Sequence, residues 1–147
     1  MGILGFTGTR AGMTYEQSVK VTGLLIKIHP GNAVHGDCTG ADKDFDDICK
    51  GLGIFREVFP GKDRNGLSPS RAFCDAEIRH PVLPYLVRDR IIVEKAKLGL
   101  IACPKGKTEE RRSGTWTTVR YARSMLRPIY IIFPDGEFKL EGLQNRN

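Results

Sequence analysis

The amino-acid sequence predicts an α/β fold, a three-layer sandwich on a mostly parallel sheet of five or more strands. Three observations carry this expectation. Short apolar runs alternate along the chain with longer segments whose apolar residues recur at helical spacing. The two signals take turns rather than clustering, which is the order of a parallel sheet with crossover helices. Three of the strand signals also run into glycine-bearing or basic loops that open helices, as loops do at the carboxyl edge of such a sheet.

The first strand signal is GILGF, Gly2 to Phe6, a short buried-type run. After TGTRAGMT, the segment Tyr15 to Ile28 places Val21, Leu24, Leu25 and Ile28 on one helical face, and HPGN then breaks the helix. AVH is a brief second strand, and the loop GDCTGAD leads into a helix whose face is Ala41, Phe45, Ile48, Cys49 and Leu52. IFREVF reads as a third strand. From Pro60 to Pro84 the chain is polar and broken by prolines, an irregular excursion with room for one short helix. A helix is expected over Tyr85 to Lys97, then the strand LGLIAC, Leu98 to Cys103. The loop PKGKTEERRSG precedes a helix from Thr115 to about Met125, and PIYIIF is the last core strand. Residues 1–136 thus form one domain, and 137–147 are a tail to which the pattern assigns no element.

Composition bounds the function. The 147 residues suffice for one core, and 40% hydrophobic with 27% charged residues is ordinary for a globular protein. No apolar run reaches membrane-spanning length, and the first residues lack the pattern of a secretory signal, so no membrane partner is expected. Cys38, Cys49, Cys74 and Cys103 are scattered, without metal-finger spacing or a C-x-x-C pair, which favours free thiols and a cytoplasmic setting. Neither a metal nor a cofactor is called for. The net charge of +6 suits an acidic partner, but the basic residues are spread out rather than gathered into a nucleic-acid-binding arm.

The chemistry concentrates in the three loops. In GFTGTR, Gly5 and Gly8 admit close backbone approach, Thr7 and Thr9 supply hydroxyls, and Arg10 supplies a forked cation suited to phosphate. The glycines do not have dinucleotide-fingerprint spacing, and a plain strand-to-helix turn would look similar. In HGDCTGAD, Gly36, Thr39 and Gly40 expose backbone or hydroxyl groups. Asp37 and Asp42 would repel phosphate and fit ribose hydroxyls or a base edge, although Asp42 would also serve as a simple helix-end charge. In RRSGTWTTVRYAR, Arg112, Ser113, Gly114 and Thr115 stand where a helix N-terminus receives an anion; an ordinary Ser cap is the plainer alternative. Trp116 is a candidate stacking platform or else a core or dimer contact. Arg88 and Arg90 bracket Asp89 near a helix start, where one arginine could reach the site. GKT at Gly106 to Thr108 is not a P-loop, since the position five residues before Gly106 is Ile101 rather than glycine.

Together GFTGTR, HGDCTGAD, VRDRIIVEKAKLGLIACP and RRSGTWTTVRYAR resemble the SLOG superfamily of Rossmann-like nucleotide-binding domains, and within it the YspA/cpYpsA-related branch common in phages. The resemblance spans Met1 to about Gly136. It implies a nucleotide or nucleotide-derived ligand on glycine loops, a homodimer, and a role in sensing or sequestering that ligand. Its relatives also include phosphoribohydrolases that cleave the N-glycosidic bond of nucleotides, and DprA-like proteins that bind single-stranded DNA. Asp37 replaces a glycine of the related G-G-x-x-G-A-D loop, and one of Arg88 and Arg90 matches the arginine of the hydrolases. Thr118 stands where those hydrolases have a catalytic glutamate, so a substitute carboxylate would have to come from Glu109, Glu110, Asp37 or Asp42.

Overall fold

The computed structural model describes residues 2–142. It is an α/β sandwich. Strands β1 (Ile3–Gly8), β2 (Asn32–His35), β3 (Phe55–Val58), β4 (Gly61–Lys62), β5 (Ile78–Arg79), β6 (Leu83–Pro84), β7 (Gly99–Cys103), β8 (Ile129–Ile132) and β9 (Phe138–Glu141) follow one another along the chain. Helices α1 (Tyr15–Ile28), α2 (Ala41–Gly51), α3 (Tyr85–Lys95) and α4 (Gly114–Ser124) lie between them. Seven strands form the main sheet in the order β5-β3-β2-β1-β7-β8-β9, parallel except for the β8–β9 pair.

Side chains alternate across the strands and so define the layers. Leu4, Phe6, Ile101 and Cys103 meet Val21 and Leu25 of α1 and Phe45 and Cys49 of α2. Val34, Leu100, Ala102, Ile129 and Ile131 point the other way, onto Ile92 and Val93 of α3 and Trp116, Val119 and Ala122 of α4. Each such large side chain contributes about 1.5–3 kcal/mol when fully buried. The Phe6 and Phe45 rings stack with centroids 4.3 Å apart, which locks α2 onto β1.

The helices start and stop for local reasons. Thr14 and Gln17 form a reciprocal capping box ahead of α1, and His29 ends that helix in a left-handed conformation at φ 52°. Helix α3 stops at Lys95, short of the expected Lys97, because the chain turns there and Leu98 N–H already donates to the Ile3 carbonyl of β1.

Two expectations need correction. The excursion from Pro60 to Pro84 contains no helix; its backbone is held by the short strands β4, β5 and β6 instead. Part of the tail is also structured. Residues Phe138–Glu141 add an antiparallel strand beside β8, closed by the turn in which Phe133 N–H donates to the Glu137 carbonyl. Of that tail, residues 143–147 lie outside the described residues.

The topology determines where a ligand can enter. From β1 the chain proceeds outward through β2 and β3, then returns to β7 on the opposite side of β1 and proceeds outward again through β8. The loops after β1 and β7 therefore diverge, leaving a crevice at the carboxyl edge of the sheet. No helix among the described residues is long and apolar enough to cross a membrane.

Candidate functional site

A cavity of about 620 Å³ occupies that crevice. The loops after β1, β2 and β7 all reach it, together with one face of α3. Its size suits a small organic ligand.

From β1 come Thr7, Gly8, Thr9 and Arg10, with Arg10 exposed at the rim. From the β2 loop come Gly36, Cys38 and Asp42. From the β7 loop and the start of α4 come Lys105, Glu110 and Arg112, then Ser113, Gly114 and Thr115. Arg88 closes the floor from α3.

The cavity has two chemically different parts. At the start of α4, Ser113 is the N-cap and its Oγ accepts from Trp116 N–H at 3.3 Å. The next amides, of Gly114 and Thr115, have no carbonyl within the helix to receive them and carry the positive end of its dipole. Arg112 and Lys105 stand exposed nearby. Arg120 donates to the Arg111 carbonyl at 2.9 Å and pairs with Glu109, which also bonds Arg123. Glu109 is thus engaged on the outer side, and Glu110 is the acid of this loop that lines the cavity.

The floor is acidic and buried. The Asp42 carboxyl accepts from Cys38 N–H at 3.1 Å. Burial pushes its pKa up, against the pull of His35 and Arg88. Burial also raises Asp89, although Arg88 Nε donates to it at 2.7 Å. The same burial opposes the charge on Arg88, but Asp89, Cys38 and Asp42 outweigh it and leave the guanidinium pKa raised. Arg88 Nη1 donates to the carbonyls of Gly36 at 2.6 Å and Phe59 at 3.0 Å, so one side chain ties α3 to the β2 and β3 loops. A Cβ at position 36 would collide with that Nη1, which is why the position is glycine. The Cys38 thiol is pushed up to about 11, by burial first and Asp42 second, so it is neutral near pH 7 and a poor nucleophile.

Six of the predicted contact residues lie outside the cavity lining. Gly5 is buried within β1, where a Cβ would stand 2.7 Å from Ala96; it serves helix–sheet packing. Asp37, at φ 57°, turns away from the cavity, and its carboxylate accepts from Cys74 N–H at 2.8 Å and Arg71 Nε at 3.2 Å, which anchors the excursion. Thr39 is exposed, with its N–H donated to the Ser70 carbonyl. Gly40, at φ 87°, packs against the Arg10 backbone, which a Cβ would strike. Arg90 is exposed with its guanidinium 5.0 Å from the Tyr121 ring, away from Arg88. Trp116 is core, 3% exposed.

Residues that the sequence did not point to also line the site, among them Cys38, Tyr85, Asp89 and Lys105. A signal existed for Tyr85 and Asp89. Tyr85, Arg88, Asp89 and Ile92 follow i, i+3, i+4, i+7 spacing, so choosing Arg88 already selects Tyr85 and Asp89. Two residues on, Arg90 is rotated by about 200° about the helix.

Thr118 lines the cavity too, but its hydroxyl donates to the Gly114 carbonyl at 3.1 Å, and it cannot act as a carboxylate. Away from the cavity, His35 Nε2, Asp46 and Cys74 Sγ come close enough to suggest a metal site. Asp46 already bonds His35 at 2.8 Å and the Arg56 guanidinium at 2.5 Å. His35 Nδ1 accepts from Asp37 N–H, which puts the ring proton on the side of Asp46. A cation would have to displace both a proton and another cation, so the donor set does not fit a metal.

Neither protein-family models nor curated proteins yield a match to this chain.

Proposed function

We propose that this chain binds a nucleotide or nucleotide-derived ligand and acts by sensing or sequestering it. The observation that carries the reading is the polarity of the cavity. A phosphate belongs at the α4 N-terminus, where bare amides, Arg112 and Lys105 supply donors and positive charge. Sugar hydroxyls belong on the buried acceptors Asp42 and Asp89. A phosphate placed on that floor would meet two carboxyl groups, so the orientation of the ligand follows from charge. The motif resemblance to SLOG domains supports the same reading.

The test is a melting-temperature screen with adenosine 5′-monophosphate, other nucleotides, nucleotide-sugars and cyclic nucleotides. A ligand present at 100 times its Kd stabilises the fold by about 2.7 kcal/mol. Raised melting temperatures for nucleotides, absent for the same concentration of inorganic phosphate or sulfate, support the proposal. No shift with any nucleotide removes it. Arg112→Ala sharpens the test: nucleotide affinity should fall roughly tenfold, while affinity for the matching nucleoside stays within about twofold. Equal losses would place the phosphate elsewhere.

A second reading, hydrolysis of the N-glycosidic bond, is favoured by one observation. Asp42 and Asp89 are cavity carboxyls whose pKa values burial raises, as acids and bases of such reactions require. They would stand in for the carboxylate that Thr118 lacks. Release of free base from nucleoside monophosphates, lost in Asp42→Asn, would establish it; intact nucleotide after long incubation would exclude it.

A further inference from the structure

Tyr85 opens α3 and lines the cavity, half-buried. Its position is set by the excursion from Pro60 to Pro84. β4 and β6 form a separate two-stranded ladder, pairing Gly61 with Leu83 and Lys62 with Pro84, and Pro84 is the N-cap of α3. A Cβ at position 61 would collide with Cδ1 and Cε1 of the tyrosine, so bare backbone there gives the ring its seat. Two guanidinium groups lie over the same ring: Arg88 with Cζ 5.2 Å from the centroid, and Arg10 at 5.7 Å. They differ in kind. Arg88 is buried and bonded to Asp89 and two carbonyls. Arg10 is exposed, and among the described residues the Tyr85 face is the direct contact recorded for its guanidinium, with Asp89 attracting it at longer range. Leu86, 58% exposed, adds apolar surface to the same rim.

We propose that Tyr85 and Arg10 form a stacking clamp, so that the ligand of this cavity carries a planar heterocyclic ring and is not a bare sugar phosphate. The inference rests on the nucleotide reading and deepens it. A tyrosine face and a planar guanidinium both stack on aromatic rings, and neither demands a particular base. Among the described residues the Arg10 side chain makes no ion pair or hydrogen bond, only a longer-range attraction to Asp89, so it can move outward, admit a ring against Tyr85 and close over it. The charge pattern agrees, because the clamp is built from the loop after β1 and from α3, apart from the anion-binding amides of α4.

The experiment is isothermal titration of adenosine 5′-monophosphate and ribose 5-phosphate against the wild type, Tyr85→Phe, Tyr85→Leu and Arg10→Met. The wild type should prefer the nucleotide. Tyr85→Phe should stay within about twofold, while Tyr85→Leu should lose roughly tenfold in nucleotide affinity and leave ribose 5-phosphate unchanged. Arg10→Met, an exposed change that leaves Tyr85 on its Gly61 and Arg88 seat, should show the same selective loss and carries the test alone should Tyr85→Leu not fold. Equal binding of both ligands by the wild type, or losses that do not depend on the ring, would overturn the clamp and leave the phosphate end standing. Absence of binding to either ligand, with no nucleotide of the melting-temperature screen raising the melting temperature, would overturn both.

Discussion

Asp42 illustrates how a single residue can be set against the stability of the empty fold. Its carboxyl is buried, and burial holds its pKa above the ordinary value of 3.8. A group raised in the folded state contributes stability that is full below its unfolded pKa and is lost as pH rises through the folded pKa. Near neutral pH the unfolded chain ionises Asp42 freely while the buried carboxyl resists ionisation, so folding carries a cost there and Asp42→Asn should melt higher than the wild type. That gap should close as pH falls toward 3, where the aspartate is neutral in both states; thermal melts across pH 3–8 would read it. Binding should move the other way. One side-chain oxygen must keep accepting from Cys38 N–H, so the asparagine turns an NH2 group toward the cavity where an acceptor stood. Affinity for nucleoside and nucleotide alike should fall about tenfold. An unchanged affinity for both would return Asp42 to the plain role of neutralising the start of α2.

At the scale of elements, the strands and helices were legible because periodicity and breakers report burial directly. Tyr15–Ile28 forms the helix that Val21 and Leu25 announce, and LGLIAC supplies β7, which pairs with the central β1. What stayed hidden depends on contacts between segments far apart in the chain. Asp37 looked like a ligand acceptor because nothing local shows that Arg71 and Cys74 return to it. Strand β9, Phe138–Glu141, does alternate apolar and charged residues at strand period, but over only four residues and with both apolar side chains exposed, so the pairing with β8 is what decides it. Gly40 shows the same limit in a glycine the sequence did single out. The residue is needed not for a ligand but for the fit of two loops: it sits at φ 87°, and Ala41 N–H donates to the Thr9 carbonyl at 2.9 Å beside it. Gly40→Ala would combine a strained backbone with a clash against Arg10, and should cost more than about 1 kcal/mol. Chemical denaturation would show the loss as a lower midpoint at unchanged slope. An alanine variant as stable as the wild type would mean that the β1 and β2 loops can separate freely.

Across the whole molecule, the carboxyl edge of the sheet carries the cavity while the β2–α2–β3 side is held by a buried ionic network. Arg56, 4% exposed, donates to Asp46 at 2.5 Å and to Glu77 at 2.9 Å, and Asp46 also meets His35. Burial alone would raise the Asp46 and Glu77 pKa values, but for Asp46 the His35 and Arg56 bonds prevail, and for Glu77 the Arg56 backbone and side chain do, so both are lowered. Lowered carboxylates contribute stability above their unfolded values and lose it as pH falls through the folded ones. The network should therefore steepen acid unfolding below about pH 4.5, the ordinary value for Glu77. Arg56→Met removes the shared cation and leaves Asp46 buried with only His35. The expected loss is roughly 3–5 kcal/mol at pH 7, with a shallower decline on the acid side, both measurable by denaturant titration at several pH values. Arg56 lies outside the cavity lining, so the fraction that remains folded should bind its ligand within about twofold of the wild type. A loss of affinity larger than the loss of folded protein would show instead that the network holds the β2 loop, and through it Asp42, in the geometry the ligand needs.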